Sequence, residues 1–307
     1  MMIITKAPSG AGFWVRLRSF WKLTKPGVLC LIVFCASIGM LLSVPPGSSI
    51  NWFLFGASIL GIWLVAASAA VINCLVEHKT DAIMKRTNRR PLPQALLNPL
   101  EALLFSLLVG AAGVLVLHFF VNDLTLGLTL LAFVGYAFFY TIVLKPMTPQ
   151  NIVIGGSSGA MPPVLGWSAM SGTLTVHPWL LFLIIFLWTP PHFWSLSLYR
   201  RDEYAKAGFP MLPVTHGVDG TIRSIVLYTF VLVVSSFLPC LVSLSGELYG
   251  VCAAILGGYF LKLTVCLVGD YSDEKARYVF FYSIAYLFLL FLFMLLDHYW
   301  FFYLTRM

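Results

Sequence analysis

The sequence predicts an all-α polytopic membrane protein, a bundle of nine membrane-spanning helices. Three observations predict it. Of 307 residues, 60% are hydrophobic and only 10% charged, against about 25% charged in an ordinary soluble domain, and the mean hydropathy is +0.90. Apolar runs reach the roughly 20 residues that a helix needs to cross hydrocarbon, and they are too long for barrel strands. The basic residues alternate between loops as membrane topology demands.

In order, the runs fall at 28–44, 52–76, 100–120, 124–144, 151–170, 177–198, 221–244, 248–269 and 278–304. The first has a basic flank like that of a signal peptide, but eight more runs follow it, so it reads as a transmembrane helix. Ahead of it, residues 1–27 read as a cytoplasmic, interfacial segment, because Phe13–Leu23 mixes aromatic and basic residues as a helix lying on the inner leaflet does. Residues 28–307 read as one transmembrane domain. In the fifth run, Gly155, Gly156 and Gly159 read as close helix packing and not as a phosphate loop, since no strand precedes them. The sixth carries Pro190 and Pro191; each removes a backbone donor, so a kink is expected there, repaired by neighbours or a cavity.

With nine spans, every Lys and Arg except Arg306 falls on or beside one face, from Lys6 and Arg16 through Lys79–Arg90, Lys145 and Arg200–Lys206 to Arg277. That alternation predicts an N-terminus inside and a C-terminus outside. The net charge of +7 is then topological, an anchor to anionic lipid, and does not call for nucleic acid. The six cysteines form no CxxC pair and read as packing residues. The loops after the second and sixth runs are the longest and sit similarly in the two halves, a hint of internal duplication.

No carboxylate lies near the middle of a span, which weakens an ion-coupled transporter. Polar chemistry gathers at one face instead. Asn73, Glu77 and Asp81 are spaced i, i+4, i+8, so three oxygen-bearing side chains share one side of a helix. Such a row is either the solvated face of a helix leaving the bilayer or a set of hard donors for Mg²⁺. Arg86, Arg89 and Arg90 follow directly, and the arginine fork matches phosphate oxygens. Metal and phosphate ligands side by side at the mouth of an apolar helix fit a substrate with a diphosphate head and an apolar tail, such as a prenyl diphosphate. The loop after the sixth run adds Arg200, Arg201, Asp202 and Glu203, which could close the other side of a clamp; Lys145 is either one more cation for it or a plain topological anchor. His192 is open between a haem ligand and a histidine hydrogen-bonded within a proline-bent helix; His78 reads as loop surface.

Longer motifs sharpen this. NxxxExxxD at Asn73–Asp81 runs into MxRTxxRPLP at Met84–Pro93, followed by YTxxLKxxTPxN at Tyr140–Asn151, GGxxGAxPPxxGW at Gly155–Trp167, and WTPPHFWSL with DEYxxAGxPMLPVxxG over Trp188–Gly217; LTKPGV ends at Val28. On these residues the chain, over about 20–300, resembles the intramembrane aromatic-prenyltransferase superfamily and, within it, the protohaem IX farnesyltransferase (haem O synthase) family. The resemblance implies a helical bundle with a central cavity open to the cytoplasmic side, and Mg²⁺-dependent loss of diphosphate from farnesyl diphosphate. A vinyl group of haem B then attacks, and water is added, to give haem O. With it, Asn73, Glu77, Asp81 and Asp202 are expected as Mg²⁺ ligands and Arg86, Arg90, Lys145 and Arg201 as diphosphate ligands, while a haem contact at His192, with Trp194 near it, stays one of two readings. Two departures stand out: Glu77 replaces the superfamily's usual aspartate, and Leu198 stands where the second DxxxD would begin. Other readings are prenyl transfer to another acceptor, such as a quinone precursor, or a non-catalytic carrier of haem or lipid. The expected setting is a bacterial inner membrane, with haem A synthase or terminal-oxidase assembly as a downstream partner.

Overall fold

The computed structural model describes residues 12–304; Lys6 and Arg306, used in the topology reading, lie outside the described residues. Within them the chain is helical, with no strand. A short amphipathic helix, α1 (Phe13–Leu23), turns through 49° into α2 (Pro26–Leu42). The turn is Lys25, in the left-handed region at φ 56, and Pro26 opens the next helix, where its missing N–H costs nothing. Two long antiparallel helices follow, α3 (Trp52–Ile83) and α4 (Pro99–Phe120). Asn51 caps α3 by accepting from the Leu54 amide at 3.0 Å. Asn98 and Glu101 cap α4 reciprocally, at 2.8 and 2.9 Å, which satisfies two orphan amides at once.

Next, α5 (Asp123–Val134) passes without a break into a π-helical segment, Gly135–Leu144, and a last turn, α6 (Lys145–Met147). The fifth apolar run is two short helices, α7 (Asn151–Gly159) and α8 (Pro162–Ser171). The sixth is one continuous helix, α9 (Val176–Leu198), holding Pro190 and Pro191 inside it. Short turns α10 (Arg201–Lys206) and α11 (Leu212–Thr215) lead to α12 (Gly217–Ser235), the turn α13 (Leu238–Leu241), α14 (Glu247–Val265) and α15 (Asp273–Leu304).

All nine predicted runs are helical, but nine full spans is not what the described residues show. Seven helices are long and apolar enough to cross a membrane, or eight if the bent α1–α2 pair is one span. The shortfall is physical. The α7 and α8 helices have 9 and 10 residues, about half of what hydrocarbon requires, because Pro162 and Pro163 start a new helix.

Burial separates the helices. The central windows of α3 and α9 are 56% and 61% buried, against 17% for α4 and 22% for α5 with its continuation. The outer helices expose Leu108, Phe119, Phe139, Val251 and Ile255, the apolar belt that lipid covers. Glycine lets backbones touch: a Cβ at Gly39 would strike the Pro163 carbonyl, and one at Gly166 the Ala36 carbonyl, so α2 and α8 interlock through both. Gly155 and Gly156 likewise abut Tyr140 and Thr189, but a side chain at Gly159 would meet open space, so the packing role expected for it does not hold. Ser68 and Ser106 exchange a buried hydrogen bond at 2.9 Å between α3 and α4. At 32 residues, α3 is about 48 Å long, and its last turns stand beyond the roughly 30 Å hydrocarbon layer. Those turns carry the polar row.

Candidate active site

Asn73, Glu77 and Asp81 are all buried, at 2%, 7% and 3% exposure, so they do not form a solvated face. Helical spacing aligns them: the Asn73 amide donates to Glu77 Oε1 at 2.9 Å and to Thr141 Oγ1 at 3.0 Å. Each of the three oxygen sites also meets one cation from elsewhere in the chain. Lys25, at the α1–α2 turn, donates to Asn73 Oδ1; Lys145 pairs with Glu77; Arg90 pairs with Asp81 at 2.6 Å. Burial disfavours the Arg90 charge, yet its neighbours Cys74 and Asp81 hold its pKa above the ordinary arginine value.

The π-helical segment makes two of these contacts possible. A turn closed i to i+5 is wider than an α-turn and recurs at functional sites. Here Thr141 Oγ1 donates to the Tyr136 carbonyl at 2.8 Å and the Lys145 amide to the Tyr140 carbonyl. That register brings Tyr136, Tyr140, Thr141 and Lys145 to the side facing α3. The Tyr136 and Tyr140 rings stack at 5.6 Å.

Between these elements lies a cavity of about 460 Å³, walled by Lys25, Asn73, Glu77, Arg86, Arg90, Tyr136, Tyr140, Lys145 and Phe193, with Pro26–Val28 at one side. That volume falls in the ordinary range of small-molecule sites. Four cations and one carboxylate line it, and Asp81 sits behind Arg90. Surplus positive charge in a half-buried space is an anion site.

Of the second inner loop, the structure brings in Glu203 and Phe209. Glu203 accepts from the Arg86 amide at 3.3 Å and from Arg200 at 2.8 Å, joining the loop after α3 to α10. Buried Tyr204 lies beside Arg86 and Arg200, and its burial raises its pKa. The Phe209 ring lies 4.7 Å under the Lys145 ammonium. Asp202 and Arg201 are not brought to the cavity: the Asp202 side chain is 85% exposed and its contact with Arg201 is 3.7 Å long. On the short helix α10, successive residues face different ways, and Tyr204 takes the buried direction. His192 is stacked between Trp188 and Phe280, at 4.2 and 4.6 Å, and its Nδ1 bonds Ser283 Oγ at 2.7 Å, so it serves the α9–α15 contact. Trp194 is 2% exposed and packs edge-on against Tyr228. Neither lines the cavity.

A metal fits this chemistry in kind. Amide and carboxylate oxygens are the donors that hard divalent ions take, and Asn73 and Glu77 reach the cavity wall. Among the described residues no cluster of three or more His, Cys, Asp or Glu could hold a metal by itself; waters and substrate phosphate oxygens are the usual remaining ligands of such an ion.

Comparison with known proteins agrees with this architecture. The UbiA prenyltransferase family model matches residues 32–292. The chain belongs to the UbiA prenyltransferase family. A relative from Nitrosomonas eutropha, named Protoheme IX farnesyltransferase, is 54% identical over 94% of this chain and 96% of its own length. Among solved structures, a chain from work on digeranylgeranylglyceryl phosphate synthase in membranes superposes with a TM-score of 0.76 at 19% identity, covering 92% of this chain and 99% of that one. A UbiA homolog from Archaeoglobus fulgidus bound to DMAPP and Mg²⁺ gives 0.64 at 15% identity, covering 90% and 99%. These structures share the fold, a multi-pass membrane bundle.

Sequence reasoning missed Lys25, Thr141 and Phe209 as parts of the site, and of the expected acidic pair Asp202 and Glu203 it is Glu203 that the structure brings in. Lys25 stood inside LTKPGV, and Phe209 at an unspecified position of DEYxxAGxPMLPVxxG, but nothing in their spacing joined them to Asn73 or Lys145.

Proposed function

We propose that this protein transfers the farnesyl group of farnesyl diphosphate to a vinyl group of protohaem IX (haem B), with addition of water, to give haem O. What supports the reading is the cavity's charge balance, buried oxygen donors under an excess of cations, in a chain 54% identical to a protein named for that reaction. Arg86, Arg90 and Lys145 bind the diphosphate oxygens, and Lys25 adds to the same positive wall. The oxygens of Asn73, Glu77 and Asp81 would hold Mg²⁺, which would supply charge neutralisation for the diphosphate leaving group. These side-chain cations stabilise that charge as the carbon–oxygen bond breaks. The Tyr136, Tyr140 and Phe193 rings line the way out of the cavity for the apolar tail and shield the allylic carbon from water; aromatic faces also favour its developing positive charge.

The setting we infer is a bacterial inner membrane, with the N-terminus and the cavity on the cytoplasmic side, the C-terminus outside, and α1 on the inner leaflet. Haem O would pass to haem A synthase or to terminal-oxidase assembly. The deciding experiment incubates purified protein with haem B, farnesyl diphosphate and Mg²⁺ and reads the haem product by mass. Haem O should form, stop on chelation with EDTA and resume on adding Mg²⁺. No farnesylated haem, with a prenylated quinone precursor formed instead, would move the activity to another acceptor. Haem bound and released unchanged would make the protein a carrier.

A further inference from the structure

A second hollow, sharing no lining residue with the active-site cavity, runs between α1 and the α3–α4 pair, with a volume of about 1090 Å³. We propose that it is a binding site for an anionic phospholipid of the bilayer. Arg18 and Lys22, spaced i and i+4 on α1 and thus on one face, line its mouth beside Trp21. Both are exposed, and among the described residues neither pairs with a carboxylate. Glu101 of α4, which meets α1, is already tied to Arg16 at 2.5 Å. The mouth therefore carries two positive charges without a counter-charge.

Behind the mouth the lining is apolar and runs inward along α3 and α4 to Trp63 and Val109. Val109 is ten residues into α4, counted from Pro99, about 15 Å along the helix and about half the depth of the hydrocarbon layer. The Trp21 and Trp63 rings, 5.8 Å apart, stand in the wall and add to its apolar surface. A cationic mouth beside an apolar lining matches a phosphate with the upper part of an acyl chain against it. The charge selects an anionic headgroup, since a zwitterionic lipid brings its own ammonium to the same place. A prenyl diphosphate lacks here the oxygen-donor row that the active site gives a metal. Bound lipid would wedge α1 against α3 and α4, and through Thr24 would steady the Lys25 turn.

The test is native mass spectrometry of the full-length protein released from nanodiscs of defined composition. Unaltered protein should retain a phosphatidylglycerol-type lipid and discriminate against phosphatidylcholine with the same chains. At about 1 kcal/mol per basic residue near an anionic surface, Arg18→Gln with Lys22→Gln should cut retention about 30-fold. Val109→Trp, which fills the hollow and leaves the charge alone, should cut it as well. None of these three residues touches the active-site cavity, so haem O formation in detergent reports that the variants are folded. The lipid comparison on unaltered protein needs no variant. Equal retention of both lipids, retention unaffected by the substitutions, or displacement by inorganic phosphate or farnesyl diphosphate alone would each overturn the proposal.

Discussion

Buried carboxylates occur at both ends of the bundle, and their partners differ. At the end that holds the cavity, Glu77 and Asp81 meet the cationic heads of Lys145 and Arg90. At the far end Asp297 of α15, 5% exposed, accepts from the backbone amides of Gly246 and Tyr249 at the start of α14. A backbone amide at a helix N-terminus cannot leave, and its partial charge suits a carboxylate, so Asp297 fastens one helix to another. A lysine or arginine head can turn from a carboxylate to a phosphate with little backbone change, so the paired charges beside the cavity are available for exchange. Buried ion pairs are weak stabilisers after desolvation, so two of them next to a hollow with surplus positive charge support the binding role proposed for them.

The largest effect follows from removing a donor at the cavity end. Asp81→Ala strips Arg90 of its partner and the row of an oxygen, and should lower haem O formation by about 10²–10³-fold, the loss typical of one charge-stabilising group. The check is product mass per unit time on protein that still elutes as a single species; turnover within a few-fold of the unaltered chain would remove Asp81 from the chemistry. Glu203→Gln comes next. It weakens the tie between Arg86 and Arg200, so the Michaelis constant for farnesyl diphosphate should rise about 10-fold with a smaller change in kcat, as for loss of a charged hydrogen bond. Asp202→Ala should change turnover by less than about 3-fold, since exposed ion pairs contribute little. The reverse ranking of these two would return Asp202 to the second half of the clamp.

The row at Asn73, Glu77 and Asp81 was legible because a helix repeats locally, and a spacing of four needs no tertiary knowledge. Lys25 was not, since it reaches Asn73 from another element across 48 residues; Glu203 was legible as one of an acidic pair, but its tie to Arg86 across 117 residues was not. The π-helical widening at Gly135–Leu144 left no mark in an evenly apolar run. The break at Pro162 did leave a mark, as paired prolines open helices, but hydropathy alone runs through it and counts one span. At Pro190 and Pro191 the same signal pointed to a kink in a helix that stays continuous, with Trp188 bonded to the Ser283 carbonyl at 2.7 Å and Thr189 to that of Ile185 at 2.8 Å.

The smallest expected effect on turnover belongs to Asp297, and it bears most directly on the contrast between the two ends. Asp297→Ala leaves the Gly246 and Tyr249 amides without their acceptor inside a packed corner, at a cost of about 1–3 kcal/mol, read as a drop of a few degrees in the unfolding midpoint. Asp297→Asn keeps one carbonyl acceptor and should lose roughly half as much. Turnover per folded molecule should stay unchanged in both, because the cavity lies at the other end of the helices. A carboxylate that only fastens α14 to α15 can act on activity solely through the folded fraction. If Asp297→Asn instead lowers turnover at full folding, the two ends are coupled through α15, which also carries Phe280 and Ser283 against His192, and the partner of a buried charge no longer tells binding from architecture in this fold.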